Sequence, residues 1–73
     1  MIELNEIRQE LAKSNYTILQ EDNVFYIYYE GNFIGLCEGG KFNTALEPVF
    51  PCFTGDELRL VAALADYSYN YYT

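Results

Sequence analysis

Apolar residues follow two different patterns along this chain, and each pattern predicts a different kind of element. In residues 2–14, Leu4, Ile7 and Leu11 recur at intervals of three and four, which is typical of a helix with one buried face. Asn15 suits the left-handed position that ends such a helix. The residues after it come in short aromatic and β-branched runs, which favour β-strands.

Three antiparallel strands are predicted from these runs and from the turn residues between them. They span residues 16–20, 24–30 and 33–38. Glu21 with Asp22 and Asn23 supplies the first turn, because Asp and Asn tolerate positive φ. Gly31-Asn32 favours a tight two-residue turn of the primed type between the second and third strands. The three strands therefore form a meander.

The segment after the third strand is harder to assign. Gly39-Gly40 ends the strand, and residues 42–46 are open to interpretation as a short fourth strand at the edge of the sheet. Pro48 and Pro51 have no backbone N–H for a strand ladder and keep the residues around them irregular. We therefore expect an ordered connection with at most one brief strand.

A second helix is predicted to begin after Thr54. Thr54 and Glu57 have the spacing of a capping box, in which each side chain accepts a hydrogen bond from the backbone N–H of the other residue. Phe53 and Leu58 have the spacing of the accompanying hydrophobic staple. The 73 residues thus predict a single α+β domain (residues 1–73) in the order αβββα, with an antiparallel three-stranded meander packed against two helices.

The turn at Gly31-Asn32 determines which hairpin residues share a face, because directly opposed residues lie on the same side of a sheet. This register predicts a core face made of Phe25, Ile27, Tyr29, Ile34 and Leu36. It predicts a second face that carries Val24, Tyr26, Tyr28, Glu30, Phe33, Gly35 and Cys37. Tyr16 and Ile18 join the core face if the first turn has two or four residues.

The predicted second face has more aromatic surface than a solvated strand pair needs. Tyr26, Tyr28 and Phe33 form a cluster there, and Gly35 leaves a shallow gap beside it. Tyrosine suits a half-hydrated surface, because its ring packs while its hydroxyl stays in water. Either residues 41–53 or a terminus fold over this face, or the face binds a partner. The sequence leaves both interpretations open.

The charge of the chain narrows the range of partners. Eleven acidic residues against four basic ones give a net charge of −7. Direct binding to DNA, RNA or anionic lipid is not expected, because it requires clustered Lys and Arg. An acidic chain suits a basic partner surface, including one that normally holds nucleic acid. The same charge also suits a protein that is merely soluble.

Catalytic and metal-binding residue patterns are missing from the sequence. The chain has no His, which is the commonest general base and metal ligand. Ser14 and Ser68 lack a base for a catalytic triad, and the acidic residues are too dispersed for a calcium loop. We therefore predict no catalytic residue, no metal ligand and no cofactor, and we do not expect an enzyme.

The two cysteines and the N-terminal residues indicate the cellular compartment in which the protein is expected. Residues 1–14 are charged and amphipathic, unlike a secretory signal, and no run approaches the length of a membrane span. The expected location is a reducing cytoplasm, where Cys37 and Cys52 are ordinary free thiols. In a secreted chain, a Cys37–Cys52 disulfide would be the alternative.

The αβββα order resembles that of the double-stranded RNA-binding domain, whose second helix begins with basic residues that contact phosphates. Here the same position carries Asp56 and Glu57, which repel phosphate. The resemblance therefore implies a similar layer architecture and does not imply RNA binding.

Residues 7–11 (IRQEL) and 13–18 (KSNYTI) resemble the first helix and strand of small acidic proteins from phages of Gram-positive bacteria. That group includes an anti-CRISPR inhibitor that mimics DNA and occupies the PAM-reading site of Cas9. The resemblance covers residues 4–18 and implies a short helix, a three-stranded antiparallel sheet and a C-terminal helix. The inhibitor's acidic run lies beyond its sheet, whereas residues 39–53 here hold one acid, Glu47, so no inhibitory residue is carried over.

The sequence supports three hypotheses for function. The first is a small interaction protein, encoded by a phage or another mobile element, that docks on a protein partner. Its aromatic anchors would be Tyr26, Tyr28 and Phe33, with Glu30 and Glu38 as rim charges. The second is a DNA mimic that inhibits a nucleic-acid-binding host protein such as a CRISPR nuclease. The third is a homodimer in which two aromatic faces bury each other.

Overall fold

The structure, a computed structural model, describes residues 2–44 and 53–70. Its elements are α1 (Leu4–Ala12), β1 (Tyr16–Glu21), β2 (Val24–Tyr29), β3 (Asn32–Glu38), β4 (Lys41–Thr44) and α2 (Gly55–Asn70). The strands form one antiparallel sheet in the order β1-β2-β3-β4, and both helices contribute to the core on one of its faces. The predicted α+β class and helix–strands–helix order are confirmed, and a short fourth edge strand is present.

Helix α1 is shorter than the predicted span of residues 2–14, but its buried face is the predicted one. Ile7 and Leu11 are fully buried, and Leu4 packs at the margin of the core. Asn15 has a φ of 69°, which confirms the left-handed residue expected after the helix. The spacing of three apolar residues was therefore enough to orient α1.

The start of α2 follows its sequence signal. The Thr54 N–H donates to Glu57 Oε1 at 2.9 Å, and the Glu57 N–H donates to Thr54 Oγ1 at 3.2 Å, so the capping box is confirmed. The predicted staple differs, since Leu58 is 54% exposed. Phe53 instead stacks on the Tyr16 ring, with a centroid distance of 5.3 Å.

The structure confirms the position of the first predicted turn and corrects the position of the second. Glu21 pairs with Val24 across a two-residue turn, which places Tyr16 and Ile18 in the core, as expected for a turn of that length. The turn between β2 and β3 consists of Glu30-Gly31, with φ values of 48° and 84°. The turn is primed as predicted, but the assignment to Gly31-Asn32 was wrong by one residue.

A β-bulge corrects the predicted faces of β3. Ile27 pairs with Gly35 and Tyr28 pairs with Phe33, so Ile34 is an extra residue with no opposite partner. Between the turn and Ile34, the residues of β3 lie on their predicted faces, because the actual pairing there differs from the predicted pairing by two residues. From Gly35 onward the pairing differs by one residue. A shift by one residue moves every side chain to the opposite face of the sheet, so the predicted faces are reversed there.

The reversal changes the roles of three residues. Leu36, predicted in the core, pairs with Tyr26 and shares the second face with it. Cys37, predicted on the second face, is fully buried and pairs with Phe25. Gly35 was predicted beside the aromatic cluster and lies on the core face.

Gly35 has a packing role on that core face. A Cβ atom at this position would lie 2.6 Å from the Asn43 carbonyl oxygen and 2.7 Å from Phe42 Cζ. The Phe42 ring therefore occupies the space above the glycine, and it meets Phe53 edge-on at a centroid distance of 6.0 Å. Only a residue without a side chain lets β4 and Phe42 approach β3 this closely.

Helix α2 is fastened to the turn between β3 and β4 by Ser68. Its buried hydroxyl accepts a hydrogen bond from the Gly40 N–H at 3.1 Å and donates one to the Ala65 carbonyl at 2.6 Å. Gly39 and Gly40, with φ values of 61° and 85°, form a second primed turn that leads into β4. This contact holds α2 on the core face and leaves the opposite face free of either helix.

Candidate functional site

The candidate site is the face of the sheet opposite the helices, which we call the open face. Strand alternation and the observed pairing assign its residues. They are Thr17, Leu19 and Glu21 of β1, Val24, Tyr26 and Tyr28 of β2, Phe33, Leu36 and Glu38 of β3, and Lys41 and Asn43 of β4. Six of these eleven side chains are apolar or aromatic, although both helices lie on the other side.

The predicted aromatic cluster lies at the centre of the open face. The Phe33 ring meets the Tyr28 ring edge-on at a centroid distance of 5.5 Å and the Tyr26 ring at 6.2 Å. Phe33 is 41% exposed, and the two tyrosines are half-buried. The structure therefore brings Tyr26, Tyr28 and Phe33 together, in contacts of the kind that aromatic rings favour.

Two leucines extend this cluster beyond the residues that the sequence indicated. Leu19 and Leu36 lie directly opposite Tyr26 on its two neighbouring strands, forming a row across the sheet. Leu19 is 53% exposed. Because successive strand residues face opposite sides of the sheet, the assignment of Ile18 to the core already placed Leu19 on the open face. The sequence therefore contained the information needed to predict Leu19. Leu36 was missed because nothing in the sequence marks the bulge at Ile34.

The charged residues predicted for the rim do not lie together. Glu38 lies on the open face opposite Lys41, at the end of the sheet that also carries Glu21 and Asp22. Glu30 lies in the β2–β3 turn at the other end of the sheet. The acidic rim is therefore concentrated at one end, where three carboxylates accompany one lysine.

The structure also bears on what covers this face. Lys41–Thr44, part of the segment expected to fold over it, extends the sheet sideways as β4. Phe53 packs on the core side, against Tyr16 and Phe42. The remainder of that expectation falls on residues 45–52, which lie outside the described residues. In the described part of the chain, Leu19 and Phe33 remain largely accessible.

Within the described part of the chain, Cys37 and Glu57 have perturbed pKa values, and both lie on the helix side of the molecule. Burial raises the pKa of the Cys37 thiol to about 12, and its Sγ contacts the Val61 carbonyl oxygen at 4.0 Å. The hydrogen bond from the Thr54 backbone lowers the pKa of the Glu57 carboxyl, with smaller contributions from the Ser14, Thr54 and Tyr16 side chains. Cys52, the partner in the alternative disulfide, lies outside the described residues.

The described residues show neither a metal centre nor a membrane-spanning helix. Within residues 2–44 and 53–70, no group of three or more His, Cys, Asp or Glu side chains is arranged to hold a metal ion. None of the described helices is both long enough and apolar enough to span a membrane.

Comparison with known proteins gives no family for this chain. No family model matches it, and searches of curated proteins and of solved structures find no match either.

Proposed function

We propose that this chain is a small, non-enzymatic interaction protein that binds a protein partner through its open face. Tyr26, Tyr28 and Phe33 are the apolar anchors of the proposed site, and Glu38 supplies a rim charge at its acidic end. Glu30 supplies one at the opposite end. The resemblance of residues 4–18 to small acidic phage proteins supports a phage or mobile-element origin and action in the reducing cytoplasm of the host.

The observation that carries this proposal is the partly exposed aromatic surface on a sheet whose other face is packed against both helices. Monomeric proteins without a partner rarely expose such a patch, because contiguous apolar surface promotes non-specific association. Aromatic side chains in a central cluster with a polar rim are typical of the residues that dominate binding at interfaces. Phe33 and Leu19 present the accessible part of that surface.

Charge favours a particular kind of partner. Glu21, Asp22 and Glu38 lie at one end of the open face with Lys41, and the whole chain carries a net charge of −7. A partner with basic groups placed to meet that end gains electrostatic attraction, whereas a second acidic copy is repelled by it. We therefore favour a foreign protein over a homodimer.

The DNA-mimic hypothesis needs carboxylates gathered on one surface. The acidic residues of the described chain are divided among separate places instead. Glu6, Glu10 and Asp56 line one pocket between the two helices, whereas Glu21, Asp22 and Glu38 lie at one end of the sheet and Glu30 lies at the other. The acidic residues in that part of the chain are Glu3, Glu6, Glu10, Glu21, Asp22, Glu30, Glu38, Asp56, Glu57 and Asp66. This distribution favours docking through the aromatic cluster over mimicry of a phosphate backbone.

Site-specific photocrosslinking tests the proposal. A photoreactive phenylalanine analogue replaces Phe33 in one variant and Leu58 in the matched control, since both are exposed apolar residues on opposite sides of the molecule. In lysate of the organism that carries the gene, we expect the Phe33 variant to form one dominant adduct that the Leu58 variant does not form. Excess wild-type protein should suppress that adduct.

Mass spectrometry of the adduct separates the alternatives. A different protein with a basic surface supports the proposal, and Phe33→Asp should abolish its capture in a pull-down while Leu58→Asp preserves it. An adduct of two copies of this chain establishes the homodimer instead. Equal adducts from positions 33 and 58 exclude the open face as the site.

A further inference from the structure

A second feature of the sheet, independent of the open face, concerns its β1 edge. The Glu30 N–H donates to the Asn15 carbonyl at 3.0 Å, and Glu21 pairs with Val24 across a two-residue turn. Hydrogen-bonded residues alternate along an antiparallel pair, so the odd-numbered residues of β1 bond to β2. The peptide groups of Ile18 and Gln20 therefore point away from β2, toward the outer edge of the sheet.

An arginine from α1 occupies this edge. Arg8 Nη1 donates to the Ile18 carbonyl oxygen at 2.9 Å, and Arg8 Nη2 donates to Gln20 Oε1 at 3.1 Å. The Gln20 side chain in turn donates through Nε2 to the Asp22 carbonyl oxygen at 3.0 Å. The planar guanidinium group therefore occupies the Ile18 carbonyl oxygen, to which an incoming strand would donate a hydrogen bond. The hydrogen bond to Gln20 fixes the orientation of the guanidinium group.

Helix α1 keeps the arginine in position through its own packing. Ile7, the residue before Arg8, is fully buried, and Leu11 is buried one turn later. Arg8 is consequently anchored at the margin of the core, with its head group reaching the strand edge. A charged side chain placed on an edge strand is a common protection against edge-to-edge pairing.

We propose that the β1 edge is a strand-pairing site for a second copy of this chain, and that Arg8 keeps it closed. The edge is self-complementary. An antiparallel copy with Ile18 opposite Ile18 is related to the first by a two-fold axis, and it places outward peptide groups of the two chains in hydrogen-bonding register. Loss of the Arg8 contact frees the central acceptor and joins two four-stranded sheets into one.

Arg8→Met tests this proposal, because methionine keeps an apolar stem and removes both donors. Arg59→Met is the matched control, since it removes one positive charge from the exposed side of α2, where Arg59 faces Asp56 at 3.9 Å. In sedimentation equilibrium we expect Arg8→Met to double in mass relative to the wild type as concentration rises. Arg59→Met should keep the wild-type mass.

Amide hydrogen exchange identifies the surface involved. In the Arg8→Met dimer, the amides of Ile18 and Gln20 should exchange more slowly than in the wild type, because the added strand bonds to them. Adding Gln20→Pro removes one of those N–H groups at an edge position that tolerates proline, and should restore the wild-type mass. Circular dichroism checks that each variant remains folded.

Three results would overturn the proposal. The first is an Arg8→Met chain that keeps the mass of the wild type, as Arg59→Met does, over the same range of concentrations. This holds whether circular dichroism shows that variant to be folded or unfolded. The second is a doubled mass without slower exchange at Ile18 and Gln20, which places the contact elsewhere. The third is a dimer that persists after Gln20→Pro.

Discussion

The two faces of the sheet have similar residues and very different surroundings. Phe25 and Ile27 point to the core face and are fully buried, whereas their neighbours Tyr26 and Tyr28 point to the open face and are half-buried. All four belong to β2, so their strand carries aromatic or aliphatic side chains on both sides. What separates the two faces is that α1 and α2 cover one and not the other. The covered side of β2 is the one that the sequence predicted, since Phe25 and Ile27 were assigned to the core face.

The largest expected contrast between the faces is in thiol reactivity at adjacent positions. Cys37 is buried with a pKa raised to about 12, whereas a cysteine at Leu36 would lie on the open face with a more ordinary pKa. At pH 8, the thiolate fractions differ by more than about a thousandfold on this basis. We expect Leu36→Cys/Cys37→Ala to react with a thiol reagent faster than the native Cys37 by a comparable factor.

Both proteins in that experiment also carry Cys52→Ala, so that each has one cysteine and the measured rate belongs to that thiol alone. In urea the two should react at similar rates, which controls for intrinsic reactivity. Equal rates in the folded state would contradict the bulge at Ile34, because without it Leu36 rather than Cys37 faces the core.

The second contrast is in the free energy of unfolding. Phe25→Ala should lower it by about 3–5 kcal/mol, since the ring is fully buried and its removal leaves a cavity. Phe33→Ala removes the same group from the open face and should cost about 1 kcal/mol or less. Urea denaturation measured by circular dichroism compares the two variants, and similar losses would show that the open face is covered.

A third contrast uses two glycines that differ in the space around them. Gly35→Ala should lower the free energy of unfolding by about 1–3 kcal/mol, because its Cβ would collide with the Asn43 carbonyl and the Phe42 ring. Gly55→Ala, at the start of α2, meets nothing within 4 Å and should be neutral or stabilising by up to about 1 kcal/mol. A neutral Gly35→Ala would show that β4 and Phe42 are not held closely against β3.

The smallest expected effect concerns the helix that covers the core face. Thr54→Ala removes one half of the capping box and should cost about 1 kcal/mol of unfolding free energy, with no change at the open face. Glu57→Gln keeps an acceptor in the cap and removes only the charge.

The pH dependence of Glu57→Gln follows from the lowered pKa of Glu57. A carboxyl that is more acidic when folded stabilises the protein above its unfolded pKa of about 4.3, and this stabilisation is lost as pH falls through the folded value. The wild type should therefore be slightly more stable than Glu57→Gln at neutral pH, and the difference should vanish in acid. Urea denaturation from pH 7 down to pH 3 measures it, and a difference that grows in acid would contradict the assignment.

Much of the fold could be predicted because its signals are local. The capping box at Thr54 and Glu57 and the left-handed Asn15 each depend on a few neighbouring residues. The buried face of α1 depends on a spacing that one helix shows by itself. The same is true of Tyr16 and Ile18, whose burial followed from the length of one short turn.

The register of β3 could not be predicted in this way. Glu30-Gly31 and Gly31-Asn32 are both acceptable for a primed turn, and the chain uses the first. Ile34 is an ordinary apolar strand residue, and no local preference marks it as the extra residue of a bulge. The positions of Leu36 and Cys37 depended on both choices, so the candidate site was predicted correctly in its aromatic centre and incompletely at its margin.

The sequence by itself determined the element order, the helix start and the presence of apolar side chains on both sides of β2. The tertiary structure decided which side chains of β3 beyond Ile34 are buried. The bulge at Ile34 sends Cys37 inward and Leu36 outward, and Gly35 lets β4 and the Phe42 ring approach the sheet. The physical reason is that local preferences act on neighbours in the chain, whereas burial depends on contacts between residues far apart in it. The aromatic surface of the open face is what remains after the helices have covered the other side.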